Sequence, residues 1–347
     1  MSVLGCAEDY QVGFTDRYGG ASTGPALDAS SVKWGRVLDD TSEATVTFPG
    51  DDPDCCSALA DIRSWCHDMC IYRDGAMVWQ GPVVRPTASR AVTEFTARDV
   101  TAWLSHRVIH NLIDYTPTGA GAADLTAIAE HIVRDAFEPD DPNVLPYLTV
   151  RPSGVTGERR YEPDTTYAFT ELQELARGGI DFTAVGHRII LSGQEPLGRL
   201  ATLTDEHFAG DLKVIEDGLS ATTRAIVTGE GVTATSGGVG VCGLLETLVK
   251  EQQIKDAGSA QYEADALVRA GDPAPLILEV PAGAQLTPDA PVTIESLVPG
   301  VVIPVAATDL CRPVTAVLQL TRVEVSYGNG NEAVQITLAP LGAGPDY

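Results

Sequence analysis

Period-two alternation of apolar and polar residues dominates the first hundred positions, broken by turns of Gly, Pro and Asp. Residues 44–48, A-T-V-T-F, read as a strand that runs into the turn P-G-D-D-P at 49–53. Residues 57–69 change period. Leu59, Ile62, Trp65 and Cys66 recur at helical spacing, which predicts a helix with one apolar face. Residues 70–84, C-I-Y-R-D-G-A-M-V-W-Q-G-P-V-V, predict a β-hairpin with Asp74-Gly75 as its positive-φ turn. Gly81-Pro82 is expected to end that ladder, because proline has no N–H to donate. Residues 92–97 alternate again, and a helix is expected from Asp99.

From about 106 to 211 the pattern becomes α/β. Leu125, Ile128, Ala129, Ile132, Val133 and Phe137 lie on one helical stripe, which Pro139 and Pro142 close. A second helix is expected over 166–177, stopped by Gly178-Gly179. A hairpin follows, with arms at 180–184 and 188–191 and its turn at Gly186-His187. Beyond 212 strands return: 224–227 paired with 231–234, then 276–280, 292–294, 301–305, 318–327 and 332–339. The last two are joined by G-N-G-N at 328–331. A long amphipathic helix is expected over 244–270, broken near Gly258. The fold class is therefore α+β and β-rich. Its expected parts are 1–103, 104–211 and 212–347, with the helical segment 244–270 in the last.

The chain has 347 residues, 44% of them apolar, enough for two or three cores. No run approaches the roughly 18 apolar residues of a membrane span. The N-terminus lacks the basic and apolar regions of a secretory signal, so neither membrane insertion nor a cleaved leader is expected. Formal charge is −25, from 48 acidic and 23 basic residues. That balance argues against a nucleic-acid binder, which gains affinity by neutralising phosphates.

Seven cysteines are present, and Cys55, Cys56, Cys66 and Cys70 fall close together with His67 among them. On a continuous helix Cys66 and Cys70 would share a face. Their spacing matches no standard zinc finger or ribbon, so a metal, a disulfide and plain buried thiols all stay open, with buried thiols the default. Gly238, Gly240 and Gly243 fit G-x-G-x-x-G, but no buried strand precedes them, so a glycine loop is expected rather than a dinucleotide site. His106 and His110 stand four apart without the glutamate of a zinc-protease helix. No nucleophile elbow or phosphate loop occurs. Asp51, Asp52 and Asp54, and likewise Asp140 and Asp141, sit in proline turns, where solvated carboxylates are the default. No catalytic residue, cofactor or metal is assigned.

Several segments carry a resemblance. The hairpin wording R-D-G…V-W-Q-G-P-V at 73–83 resembles a recurrent signature of tail-tip proteins of siphophages infecting actinobacteria. Residues 34–44 resemble that family's W-x-R-x-x-D-D-x-S-x-A, and residues 97–104 its A-R-D-x-x-x-W-L step. Residues 172–191 resemble its helix and G-G-x-D-F-T hairpin. The join at 208–218 and the stretch from Asp265 to Ile303 also resemble it, so nearly the whole chain is covered. The family is the siphophage minor tail, or baseplate hub, group, similar in plan to the hub of contractile tails. The resemblance implies two β-barrel-like domains with an α/β insertion between them. It also implies a homotrimer that continues the hexameric tail tube, and a virion location at the tail tip. Implied partners are the distal tail protein ring, the tape-measure protein and other minor tail proteins, with DNA passing through the lumen rather than being bound. The alternatives are a tail-tip hydrolase of cell-wall glycan, which needs a carboxylate pair in a sugar-sized cleft, and a peripheral receptor-binding adhesin. The 6% aromatic content weakens the adhesin reading. The chain stops soon after the last expected strand, so no appended hydrolase or receptor domain is expected.

Overall fold

A computed structural model describes residues 3–340, apart from 18–19, 51–52, 141–143, 194, 210–212, 217, 275, 280–284 and 308–312. The first part supplies β1 (Tyr10–Asp16), β2 (Leu27–Asp28), β3 (Ser31–Val37), β4 (Glu43–Pro49), helix α1 (Pro53–Leu59), β5 (His67–Arg73), β6 (Ala76–Ala88) and β7 (Val92–Arg98). Alternation sets which face is buried: Ala44, Val46 and Phe48 point inward, and Thr45 and Thr47 are half-buried. The hairpin of β5 and β6 forms as expected, with Asp74 and Gly75 at φ +51° and +79°.

Two expectations fail here. The helix foreseen over 57–69 ends at Leu59, and the chain becomes strand from His67. Leu59 and Ile62 are still buried, but Trp65 turns left-handed (φ +62°) and its N–H bonds the Val83 carbonyl (2.8 Å). Pairing with all of β1 captures residues 67–73 against their helical spacing. Nor does Gly81-Pro82 end the ladder. Pro82 pairs with Asp68, and β6 then changes partner to β7 from Val83 onward.

The helix expected from Asp99 forms as a 3₁₀ helix, Val100–His106, and leads into the middle part. Helices α2 (Leu125–Phe137) and α3 (Ala168–Arg177) pack on a three-stranded sheet of β8 (Tyr147–Val150), β9 (Ile180–Val185) and β10 (Arg188–Gly193). Asp124 caps α2 by accepting from the Thr126 N–H (2.9 Å), and α3 stops at Gly178. The periodic stripe Leu125, Ile128, Ile132 and Val133 is fully buried in this second core, with Leu172, Leu175, Phe182 and Leu191.

Strand β11 (Leu203–Thr204) precedes the last part, which contains β12 (Arg224–Thr228), β13 (Thr233–Gly237), β14 (Glu246–Lys250), α4 (Ala257–Gly271), β15 (Val302–Ala307), β16 (Val314–Gly328) and β17 (Asn331–Pro340). The helix expected over 244–270 is a strand at Glu246–Lys250 followed by a shorter helix. β14 lies parallel to β12, and α4 begins only at Ala257, where Asp256 accepts from the Ser259 N–H (2.8 Å). Residues 292–294, expected as a strand, form none, although Val292 and Ile294 are buried. Thr293 and Ser296 close a turn there through their hydroxyls. β12, β13, β14 and α4 enclose a small third core around Ala225, Val227, Ile254 and Ala260.

The chain is 18% helical and 43% strand, an α+β, β-rich fold. The main sheet has 11 strands in the order β11-β15-β16-β3-β4-β7-β6-β5-β1-β2, with β17 beside β16. Among the described residues its end strands β11 and β2 do not pair, so the barrel-like parts form one open sheet and not closed barrels. Its core joins both ends of the chain: Trp34, Phe48 and Phe95 share it with Leu203, Ile303, Leu320 and Ile336.

Candidate functional site

The residues that carry the resemblance meet one another in space. β3 brings Trp34, Gly35 and Arg36 into the core. Arg36 is 3% exposed, and its guanidinium donates to the carbonyls of Ile294 (3.1 Å), Leu297 (2.8 Å) and Val78 (2.7 Å). Burial pulls its pKa down to about 10, against the opposing pull of Glu295. One cation therefore holds the hairpin and the 292–298 turn to β3. Gly35 lets the strands close up, since a Cβ there would lie 2.9 Å from the Val323 carbonyl, and its own carbonyl accepts from the Trp79 indole (3.0 Å).

Beyond β3 the chain reaches the insertion. The Asp39 N–H donates to the Phe182 carbonyl and the Phe182 N–H to Asp39 Oδ1, both at 2.8 Å. Thr183 Oγ1 donates to the Val37 carbonyl (2.8 Å), and Gln319 of β16 donates to Asp181 (2.9 Å). Segments more than 140 positions apart, W-x-R-x-x-D-D and G-G-x-D-F-T, are thus two halves of one buried joint. Burial raises the Asp39 carboxyl well above the usual carboxylate range, and the nearby Asp181 adds to this. Burial also raises Asp181, and Gln319 opposes it. Ser42 and Asp99 make a second link. Asp99, fully buried, accepts from the Ser42 N–H and Oγ (both 2.6 Å) and caps the 3₁₀ helix at the Thr101 N–H (2.9 Å).

A third link lies on the side of the insertion. Trp65 meets Trp103 edge to face at 4.7 Å, and the Arg17 guanidinium lies 4.0 Å from the Trp103 ring. Asp140 takes ion pairs from Arg17 (2.6 Å) and from Arg107, which also donates to the Ala136 carbonyl at the end of α2 (3.0 Å). The signature arginine of the hairpin has its own role. Arg73 clamps Glu332 through Nε (2.9 Å) and Nη2 (2.7 Å), and the Tyr10 hydroxyl donates to the same carboxylate (2.7 Å). This ties the first strand and the hairpin to β17.

The third core meets the insertion along a cleft of about 240 Å³. Glu171, Glu174, Glu251, Glu263 and Arg177 line it, and beside it Arg159 pairs with Asp256 (3.3 Å). Burial, then repulsion from Glu251, lifts Glu263 to about 7. Gly179, read from sequence as a helix stop, also makes room for the Tyr262 ring, which would be 2.6 Å from a Cβ there.

The cysteines do not converge. Cys55 is buried in α1. Cys56 is exposed, with Sγ 3.3 Å from the Gly50 carbonyl, and Cys66 is exposed in the turn before β5. Cys70 is buried in β5, not on a helix with Cys66, and burial pushes its thiol up to about 11. Among the described residues no three His, Cys, Asp or Glu side chains gather as metal ligands. His106 ends the 3₁₀ helix edge-on to Trp65 (4.7 Å), and His110 is past that helix, its N–H bonded to Asp135 (2.6 Å). The Gly238–Gly243 loop leads into strand β14, which removes the helix a dinucleotide site needs. Asp51, Asp52, Asp141 and Cys311 lie outside the described residues. Asp39 and Asp181, 5% and 6% exposed, are closed to a sugar, and Asp140 is engaged by arginines. Chemically the arrangement is a set of hydrogen-bonded buried joints, in which, among the described residues, the Trp34 indole N–H is left without a partner. Sequence reading missed Arg36 and Trp103 as joint residues, although an arginine between core-facing strand residues is itself a signal.

No family model matches the chain, and no curated protein matches it. Solved structures do. The chain is similar to the 43 kDa tail protein of prophage MuSo2 from Shewanella oneidensis, at 11% identity and TM-score 0.62, over 96% of this chain and 98% of that one. It is similar to a tail protein from Neisseria meningitidis MC58, at 11% identity and TM-score 0.63, over 97% and 98%. It is also similar to the prophage tail protein gp18 from Listeria monocytogenes EGD-e, at 12% identity and TM-score 0.63, over 95% and 94%. The chain has the fold of these phage tail proteins.

Proposed function

We propose that this chain is a structural protein of a phage tail: a trimeric baseplate hub at the tail tip that extends and closes the tail tube and lets DNA through on infection. The observation that carries this reading is the fold shared with tail proteins along nearly the full length of both chains, not over one module. Segments 1–103 and 212–347 are the tube-building parts and 104–211 is the insertion between them. Their buried joints suit a part that must hold its shape under load. The acidity has a role in this scheme, because a wall of Asp and Glu keeps a passing polyanion hydrated and ungripped. Its neighbours would be the distal tail protein ring, the tape-measure protein and other minor tail proteins, and no catalytic role is assigned to it. Electron microscopy of the particle tests the reading. Three copies in a closed ring below the tail tube are expected; a peripheral position without threefold order would sink it and bring wall hydrolysis or adhesion forward.

A further inference from the structure

The third core presents an apolar knob to solvent. Between β13 and β14 the chain folds back at Gly240 and Gly243, whose N–H groups donate to each other's carbonyls (2.9 and 3.1 Å). Thr223 anchors the base of the turn. Its carbonyl accepts from the Gly238 N–H (2.8 Å) and its hydroxyl from the Leu245 N–H (2.9 Å). Gly237 and Gly243 take φ of +74° and +114°, and a Cβ at Gly240 would sit 2.7 Å from the Thr223 methyl. The turn is therefore shaped by its glycines and internally bonded. It holds Val239 and Val241 outward, 79% and 107% exposed, beside exposed Leu244, Leu245 and Leu248. Among the described residues β14 pairs only with β12, so its other edge is open.

Large aliphatic side chains held out by an ordered turn gain most from a partner that buries them. Charge says which partner. Residues 231–245 contain no Asp, Glu, Lys, Arg or His, the longest such run in a chain of net charge −25. Copies of this chain repel wherever acid faces acid, and the knob, with no ionisable residue of its own, is where they can touch at least cost; the charges beside it are Asp272 near Gly240 and, on β14, Glu246, ion-paired with Arg224 (2.8 Å), and Lys250. A cationic partner would gain nothing from such a face and would seat on the acidic surface instead.

We propose that the knob of residues 237–245, with the open edge of β14, is the surface through which one copy of this chain contacts the next. This rests on the ring reading above and names its contact. Sedimentation velocity of the purified full chain over a range of concentrations tests it, with V239S/V241S and V239D/V241D as variants. Both substitutions lie on exposed side chains, and circular dichroism melts establish that the variants fold. The wild type is expected to self-associate, and either variant to weaken self-association by roughly a hundredfold. A wild type that stays monomeric overturns the proposal, and so does one that is monomeric yet binds neutral phosphatidylcholine vesicles through the knob. Wild-type association unchanged in both variants also overturns it, while leaving the ring to form through another face. Knob-dependent association by a chain found at a peripheral position in the particle would keep the contact and sink the ring.

Discussion

Arg36 and Asp39 stand three positions apart and hold the molecule together in opposite ways. Arg36 is a buried cation satisfied by three carbonyls, so truncating it would strand those acceptors and leave a cavity. Asp39 is a buried carboxyl whose oxygen accepts from the Phe182 N–H, in a left-handed conformation (φ +59°) that Asn tolerates and Ala resists. The sign of its pH effect follows from burial. The folded state raises the carboxyls of Asp39 and Asp181, so protons favour folding. The contribution is full below the ordinary carboxylate pKa and is lost as pH rises through the raised value, about 6 for Asp181. Asp39→Asn should keep the hydrogen bond, lessen the loss of stability as pH rises above the ordinary carboxylate range, and raise stability at pH 8. Asp39→Ala should be about 2–4 kcal/mol less stable than Asp39→Asn at any pH, because it orphans the Phe182 N–H. Urea titrations of the three proteins at pH 4, 6 and 8 check both.

Elements whose pattern and turn chemistry agree came out as read. The hairpins at Asp74-Gly75 and at Asn329-Gly330 have their required positive φ, and α2 and α3 bury the stripes their periodicity marks. Elements with apolar residues at ambiguous spacing did not. Residues 57–69 and 244–256 fit a helix on paper, yet β1 and β12 offered long ladders, and strand pairing prevailed. β6 shows the same principle at Gly81-Pro82. Proline suits the end of a ladder, but here the strand is handed from β5 to β7, and Gly81 permits the crossing. A Cβ there would lie 1.9 Å from the Arg98 carbonyl. Gly81→Ala should therefore destabilise the protein by about 2–4 kcal/mol, against a few tenths for Gly75→Asn in the open turn. Thermal melts of the two variants compare them directly.

At the scale of the molecule, the main sheet is completed by the chain's own far end. β16 pairs with β3 through residues 322–328, and Glu332 receives Arg73 and Tyr10 from the first part. A fragment of residues 1–103 should accordingly fail to form a cooperative fold, because β3 loses its β16 partner and the core loses Leu320, Val323 and Ile336. Circular dichroism and amide dispersion in NMR spectra of that fragment check this. By itself the sequence determined what is local: the β-rich α+β class, the tight turns, the amphipathic helices, the acidic surface, and the motif residues now seen at the joints. Tertiary structure alone decided that W-x-R-x-x-D-D and G-G-x-D-F-T meet, that Cys70 lies on a strand and not on a helix with Cys66, and that residues 246–250 are strand. It also decided that both chain ends share one core. The physical reason is that periodicity and capping act within a turn or two of chain, whereas burial of a polar group and the choice of a strand partner depend on residues hundreds of positions away.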